Sequence, residues 1–181
     1  MNTVAETETA GKADSGLAGL IGRLAAVMRN GAVGPGEMAQ LRRLDTSSPD
    51  QPAFWRIAST WIAPDRELSA DEERRWAIVV GGMARMAPNS HIRGRPVGRV
   101  LAELSVAEGR MTTLLRARGD AIAPAVRRVA VMLSARGEAV DWTGLAALIL
   151  TTDKDRGEEL RLRIAKDYYS TLAKQKRRAA K

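Results

Sequence analysis

Four arginines in two neighbouring segments are the groups of this chain best suited to bind a polyanion. They are Arg110, Arg116, Arg127 and Arg128. Each segment also carries apolar residues at spacings of three and four, so each is predicted to be a helix with one buried and one cationic side. Arginines held on packed helices, rather than on loose loops, predict binding of nucleic acid and not conversion of a small molecule.

The boundaries of these two helices follow from local signals. Ser105 and Glu108 have the spacing of a capping box, and Gly119 is the predicted end of the first helix. Pro124 suits the first turn of the second helix, which is predicted to stop at Gly137. The apolar stripes consist of Met111, Leu114 and Leu115 in the first helix and Val126, Val129, Ala130 and Leu133 in the second.

Acidic groups that could support catalysis are sparse. The densest cluster, Asp153, Asp155, Glu158 and Glu159, lies at a predicted helix start, where acids are stabilising without a metal. No second cluster is evident to complete a two-metal nuclease site. The segment Gly94–Gly98 has neither the length nor the Lys-Ser/Thr pair of a phosphate-binding loop.

Histidine and cysteine chemistry is equally limited. His91 is the only histidine, and the 181 residues include no cysteine. Metal sites built on histidine or thiolate ligands are therefore excluded, and a histidine acid–base pair lacks an obvious partner. The sequence predicts a protein that is not an enzyme and that uses neither a cofactor nor a metal.

The net charge of +8 is confined to one half of the chain. Residues 1–90 carry ten Lys and Arg against eleven Asp and Glu, whereas residues 91–181 carry nineteen against ten, a net charge of +9. A basic surface of this size attracts phosphates, and its binding should depend steeply on salt. The alternative explanation is a compositional preference for arginine as a soluble residue.

The location of the protein is predicted from what the sequence lacks. The longest apolar run, Trp76–Ala84, is far shorter than the roughly 20 residues that span a bilayer. The first residues include Glu6 and Glu8 and have no basic flank, unlike a secretory signal. A chain without cysteine forms no disulfide bonds and is therefore also suited to a reducing compartment. We therefore expect a soluble cytoplasmic protein without a membrane partner.

Helical periodicity recurs along the whole chain, and no segment is a convincing strand. We predict an all-α fold, a two-lobed bundle of about eight helices. Residues 1–14 are predicted to be a disordered tail, 15–88 an N-terminal helical subdomain, 97–173 a basic helical subdomain, and 174–181 a disordered basic tail. Pro88–Pro96 is the predicted loop between the subdomains.

Several helix ends and faces are predicted individually. Pro52–Ile62, apolar on nearly all sides, is expected to be a buried central helix. A long helix from Arg156 to about Ala173 is expected to bury Leu160, Ile164, Tyr168 and Leu172 and to point Arg161, Arg163 and Lys166 elsewhere. Helix starts are predicted at Ser15, Pro35, Pro52, Ser69 with Glu72, and Asp141.

Further basic residues are candidate phosphate ligands. Arg42 and Arg43 point away from the apolar face of a short helix, which fits either a phosphate contact or a solvated helix face. Five more are candidates from their charge alone: Arg93, Arg95, Lys154, Arg156 and Lys166.

Several short segments follow one another in an order that matches a known protein family. They are Ala39–Leu44, Pro52–Arg56, Gly98–Glu103, Arg110, Leu115–Ala117, Val126–Arg128, Val140–Trp142 and Ile164–Tyr169. Their order and spacing, rather than any single motif, resemble the small subunit of the type I-E CRISPR surveillance complex Cascade, the CasB family, over about residues 37–170.

This resemblance implies a non-catalytic, all-helical subunit of an antiviral complex guided by crRNA. Two copies would associate along the complex and contact its backbone subunits and its large PAM-reading subunit. Such subunits help to hold the target and displaced DNA strands of the R-loop. The arginines that match basic positions of the family pattern are Arg42, Arg43, Arg99, Arg110, Arg116, Arg127 and Arg128.

Two other functions compete with this interpretation. A free-standing regulator could place the helix from Pro124 in the major groove as part of a helix-turn-helix. Its exposed face, however, offers mostly Arg, Val and Ala where base-reading Asn, Gln or Ser are needed. A small nuclease would require a divalent metal, for which the acidic residues give little support.

Overall fold

The chain folds into helices joined by short connections. The computed structural model describes residues 3–180, with side-chain burial described from residue 16 onwards. The helices of this part are α1 (Thr3–Arg29), α2 (Pro35–Arg42), α3 (Pro52–Ile57), α4 (Ala70–Met86), α5 (Val97–Glu103), α6 (Glu108–Arg116), α7 (Ile122–Ala135), α8 (Trp142–Leu150) and α9 (Lys154–Ala179). A π-helical turn, Ala58–Ile62, continues α3, and a 3₁₀ turn, Gly119–Ala121, precedes α7. The all-α prediction is confirmed.

Most predicted helix starts are also confirmed. Helices α2 and α3 begin with Pro35 and Pro52. At the first helical position the missing N–H of a proline costs no hydrogen bond within the helix. Ser69 accepts a hydrogen bond from the Glu72 backbone N–H, while the Glu72 carboxylate accepts from the Ser69 N–H. Asp141 accepts from the Thr143 N–H at the start of α8. These caps satisfy backbone donors that a helix leaves unpaired at its first turn.

The capping box predicted at Ser105 and Glu108 is wrong. Helix α6 begins at Glu108 after Ala107, and no side chain caps it. Ser105 instead has a φ of 53° in the turn after α5, where its N–H donates to the Ala102 carbonyl. The spacing matched the motif, but the left-handed turn at Ser105 places this residue outside the helix.

Two helices are longer than predicted. Helix α1 begins at Thr3 rather than at Ser15, and its first turns include Ala, Glu and Lys, which are good helix formers. Residues 1 and 2 lie outside the described part. At the other end, α9 continues to Ala179 through the segment predicted to be a disordered tail. Lys, Gln, Arg and Ala are strong helix formers, and basic residues in the last turn favour the helix dipole.

The predicted loop Pro88–Pro96 contains a strand, which corrects the prediction that the chain has none. Strand β1 (His91–Pro96) pairs in parallel with β2 (Val140–Asp141). The Gly94 N–H donates to Asp141 Oδ2 at 2.9 Å, and the Trp142 N–H donates to His91 Nδ1 at 3.2 Å. This junction fixes the segment before α5 to the start of α8.

One contiguous core links the helices. Helix α4 packs against α1, α2, α7 and α8, and α5 packs against α9. Trp142 and Tyr168 are among the largest fully buried side chains, and the predicted stripe residues Leu133 and Ile164 are buried with them. The segment predicted to be a buried central helix, Pro52–Ile62, is buried on one side only, since Phe54 and Ile57 are buried whereas Trp55 is 43% exposed.

Burial of His91 makes the stability of the junction depend on pH. Its side chain is 6% exposed, and burial lowers the pKa of the imidazole although Asp141 Oδ1 lies 3.9 Å away. The unfolded chain therefore binds a proton more readily, and stability should fall as the pH drops below about 6.5. The His91→Asn variant retains an acceptor for the Trp142 N–H but has no group that titrates in this range. We expect its melting temperature to fall less between pH 7.5 and pH 5 than that of the unsubstituted protein. Equal losses would contradict this assignment.

Candidate nucleic-acid interface

Helix α7 presents two adjacent arginines to solvent. Its buried side consists of Ala125, Val126, Ala130 and Leu133, which belong to the core. Because successive helical residues are about 100° apart, Arg127 and Arg128 point away from that side in two different directions. Both side chains are exposed, as predicted.

Arg127 faces a groove of about 350 Å³ between α7 and the end of α2. Arg43 and Arg85 line the same groove. The Arg85 guanidinium donates to the Gly81 carbonyl at 2.7 Å, and burial, followed by the positive charge of Arg127, lowers its pKa. The groove therefore gathers three cations, and an anion bound there would relieve the repulsion between Arg85 and Arg127.

The groove also contains one acidic residue, Asp45, whose negative charge offsets part of the charge of the three arginines. Asp45 accepts hydrogen bonds from the Ser47 N–H at 2.8 Å and from the Ser47 hydroxyl at 2.7 Å. These bonds lower the pKa of the Asp45 carboxyl and direct it towards Ser47. In the described part of the chain, Asp45 forms no ion pair with Arg43 or Arg127.

Arg128 faces the other side of α7, where a pocket of about 310 Å³ lies between α6 and α7. Its lining is largely apolar and includes Leu114, Val129 and Met132, and Arg110 lines it together with Arg128. Arg110 is exposed at the start of α6. The five arginines beside the two cavities form what we call the α7 basic band: Arg43, Arg85, Arg110, Arg127 and Arg128.

The charges of this band are available to a ligand. Over residues 16–180, no ion pair engages any of the five arginines, and all but Arg85 are exposed. Arg85 was not among the predicted residues. It is the last-turn arginine of α4, and only the packing of α4 against α7 brings it beside Arg127.

Three of the predicted arginines have structural partners instead. Arg42 donates from Nε to the Ala84 carbonyl at 3.1 Å and so binds the end of α4. Arg95 pairs with Glu138 at 2.6 Å and with Glu103 at 3.2 Å, and Arg99 pairs with Glu103 at 2.7 Å. Each contact occupies at least one guanidinium N–H, although Arg42 and Arg99 remain exposed.

The remaining predicted residues lie apart from the α7 basic band. Arg93 is exposed on β1, Arg116 at the end of α6, and Lys166 in the middle of α9. Lys154 lines a groove of about 880 Å³ that mixes basic and acidic groups, and Arg156 pairs with Glu159 at 3.2 Å. None of these five lines either cavity beside α7.

The prediction that Arg161 points away from the buried side of α9 is wrong. Arg161 is only 9% exposed, and its guanidinium donates to the Ala117 carbonyl at 3.1 Å. Burial, followed by the nearby Arg118 charge, lowers its pKa. Gly157, one turn earlier, leaves the space that this side chain occupies. Arg161 therefore joins α9 to the segment after α6.

The acidic cluster at the start of α9 has local partners. Asp153 accepts from the N–H groups of Asp155 and Arg156 at 2.8 and 3.1 Å and thereby caps the helix. Glu158 pairs with Arg118 at 2.7 Å, and Glu159 pairs with Arg156. Within the described part of the chain, no three such side chains are grouped to hold a metal ion.

The lengths and hydropathies of the helices bear on whether any of them could span a membrane. Across the residues that the structure describes, none is both long enough and apolar enough to cross a bilayer.

In the part of the chain that the structure describes, the fold is almost entirely helical, and five arginines without ion pairs line the cavities on both sides of α7. A family model, CRISPR-associated protein Cse2, matches residues 37–169. Since this match covers more than half of the chain, the chain belongs to the Cse2 family. The resemblance to CasB small subunits is thereby confirmed.

Solved structures share the fold. CasB from Thermobifida fusca has a TM-score of 0.66 at 15% identity, covering 84% of this chain and 97% of that one. A Cse2-family protein from Thermus thermophilus has a TM-score of 0.61 at 22% identity, covering 87% and 97%. A chain of E. coli Cascade, solved with a PAM-containing double-stranded DNA target, has a TM-score of 0.61 at 23% identity, covering 84% and 95%. A comparison with curated protein sequences gives no match.

Proposed function

We propose that this protein is the small subunit of a CRISPR Cascade complex of type I-E and acts in antiviral defence in the cytoplasm. In this role it binds nucleic acid without reading its sequence and stabilises the target and displaced DNA strands of the R-loop. Its partners are the crRNA and its DNA target, the backbone subunits, the large PAM-reading subunit and a second copy of itself. The family supports assembly into Cascade, and the α7 basic band supports contact with a strand.

The observation that carries this proposal is the exposure of Arg127 and Arg128 without acidic partners in the described chain. Each guanidinium can neutralise one phosphate and release the counterions condensed on it. R-loop formation exchanges one duplex for another of similar stability, so a few such contacts are enough to favour the open state. The guide then supplies the sequence specificity.

The proposal assigns no catalytic step to this chain. The carboxylates at the start of α9 cap a helix or pair with arginines, so hydrolysis of the bound strand is left to another protein. The exposed side of α7 also includes Val131 and Ser134 beside the two arginines. Apart from the arginines, which can bind either a phosphate or a guanine edge, this side offers only Ser134 as a polar side chain for reading bases.

Replacing Arg127 and Arg128 with glutamine should weaken binding to a single strand. Removing two phosphate contacts lowers the slope of log K against log salt by about 1.4 and the affinity at 0.1 M salt by about 25-fold. Glutamine is nearly as good a helix former as arginine, so the helical circular dichroism signal should remain. The measurement is fluorescence anisotropy of a labelled oligothymidine across a salt series.

The matched control replaces Arg23 and Arg29, two exposed arginines of α1 that line neither cavity beside α7. This control removes the same charge and should retain the slope of the unsubstituted protein. Equal losses in both variants would mean that only net charge matters. Binding to one preferred duplex would favour a regulator, and magnesium-dependent cleavage would favour a nuclease.

A further inference from the structure

The end of α9 is a cationic projection that the proposed function has not used. Four exposed basic side chains lie in the last turns of this helix, and residues 168–181 contain no Asp or Glu. We call them the α9 tip: Lys174, Lys176, Arg177 and Arg178. The family match ends at residue 169, so the tip lies beyond it.

The position of the tip follows from the contacts that α9 makes with α6. Near the start of α9, Glu158 pairs with Arg118, just beyond the end of α6. Ten residues later, the Tyr168 hydroxyl donates to the Val106 carbonyl, just before α6 begins. The two helices therefore run antiparallel, and the tip projects from the end of the molecule at which α6 starts.

Arg110 of the α7 basic band lies at that same end. It belongs to the first turn of α6, and Val106, two residues before that helix, contacts Tyr168. At about 1.5 Å per residue, Arg178 lies roughly 15 Å along the helix axis beyond Tyr168. A strand that crosses the band and leaves at Arg110 therefore comes within reach of the tip.

Packing does not account for the four charges. Leu172 is the last side chain of α9 that packs against the core, and all four residues of the tip lie beyond it. No ion pair engages them within the described residues. Lys174 stands three and four residues before Arg177 and Arg178, a spacing at which like charges destabilise a helix. Bound phosphates would relieve this repulsion.

We propose that the α9 tip is a second binding site for the phosphate backbone of a nucleic-acid strand and extends the α7 basic band. This inference rests on the proposed function, because it takes the strand on the band as its starting point. The tip lengthens the contacted stretch of strand and increases the dependence of binding on salt. Its chemistry is backbone recognition, because four neighbouring positive charges suit the regular negative charges of a phosphate backbone.

The test replaces Arg177 and Arg178 with glutamine in the complete chain and titrates a labelled oligothymidine across roughly 50 to 200 mM salt. For each phosphate that the variant no longer binds, we expect the slope of log K against log salt to fall by about 0.7 and the affinity at 0.1 M salt to fall about fivefold. The matched control is the Arg23→Gln, Arg29→Gln pair in α1, which should leave both quantities unchanged.

The outcomes separate this inference from the proposed function. If the Arg127→Gln, Arg128→Gln protein loses affinity while the tip variant binds like the unsubstituted protein, the tip is not a strand-binding site and the band remains one. If only the tip variant loses affinity, the tip is supported and the role of the band is overturned. If the unsubstituted protein does not bind the oligothymidine, both are overturned. A tip variant that loses no more than the α1 control also contradicts the proposal.

Discussion

Replacing Trp142 with alanine is expected to lower the free energy of unfolding by about 3 to 5 kcal/mol, as large-to-small changes of buried aromatic residues do. Trp142 is 1% exposed, and its ring lies against Gly82 of α4. The substitution leaves a cavity between α8 and α4, at the centre of the contiguous core. Urea denaturation followed by circular dichroism measures the loss.

The control for this prediction is Trp55→Ala. Trp55 is 43% exposed on α3 and makes an edge-to-face contact with Phe54, with ring centroids 5.5 Å apart. The Trp55→Ala variant should lose only about 1 kcal/mol of its free energy of unfolding, mostly from the lost contact with Phe54. If the two variants were destabilised equally, Trp142 would not be the core residue that its burial indicates.

Gly98→Ala is expected to destabilise the protein by about 3 kcal/mol or more, at the upper end of the cost of overpacking. A Cβ at position 98 would overlap the backbone carbonyl of Ile164 in α9. Because backbone atoms of a packed helix cannot rotate out of the way, α5 and α9 would have to separate. The measurement is the midpoint of thermal and urea unfolding.

Gly144→Ala provides the opposite expectation at a helical glycine of α8. A Cβ there meets no atom within 4 Å, so alanine should stabilise the protein by about 0.5 to 1 kcal/mol through its helix propensity. Similar changes in the free energy of unfolding of the two variants would contradict this account. They would show that helix propensity, rather than the contact between α5 and α9, controls the effect at Gly98.

Local signals predicted much of this fold. Prolines at the first helical positions and the capping box at Ser69 marked helix starts, because these features depend on residues only a few positions apart. The stripe Leu160, Ile164 and Tyr168 marked the buried side of α9 for the same reason. The all-α class follows from such signals repeated along the chain.

Features that depend on contacts between distant segments were not predicted. Strand β2 has two residues, too few to show an alternating pattern, and it exists because β1 lies beside it. Arg42, Arg95 and Arg99 have the same residue type as the band arginines. Only the positions of Ala84, Glu138 and Glu103 in space show that these three arginines have partners in distant segments.

The candidate site was predicted in part. The two helices that carry Arg110, Arg127 and Arg128 were identified from their periodicity, and Arg43 was also a candidate, although only the structure shows that it lies beside Arg127. Arg85 could not be identified from the sequence, because one arginine in the last turn of a helix is an ordinary dipole partner. The packing of α4 against α7 gives it a place beside Arg127.

Helix α4 has a consequence for how the protein can engage its ligand. It packs against α2 before Arg43 and against α7 beneath Arg127, so cations from distant parts of the sequence keep a constant separation. The backbone that carries these arginines is therefore preorganised, whereas their exposed side chains still lose conformational freedom when they bind. In the proposed function, the strand would have to follow the spacing that the packed helices set.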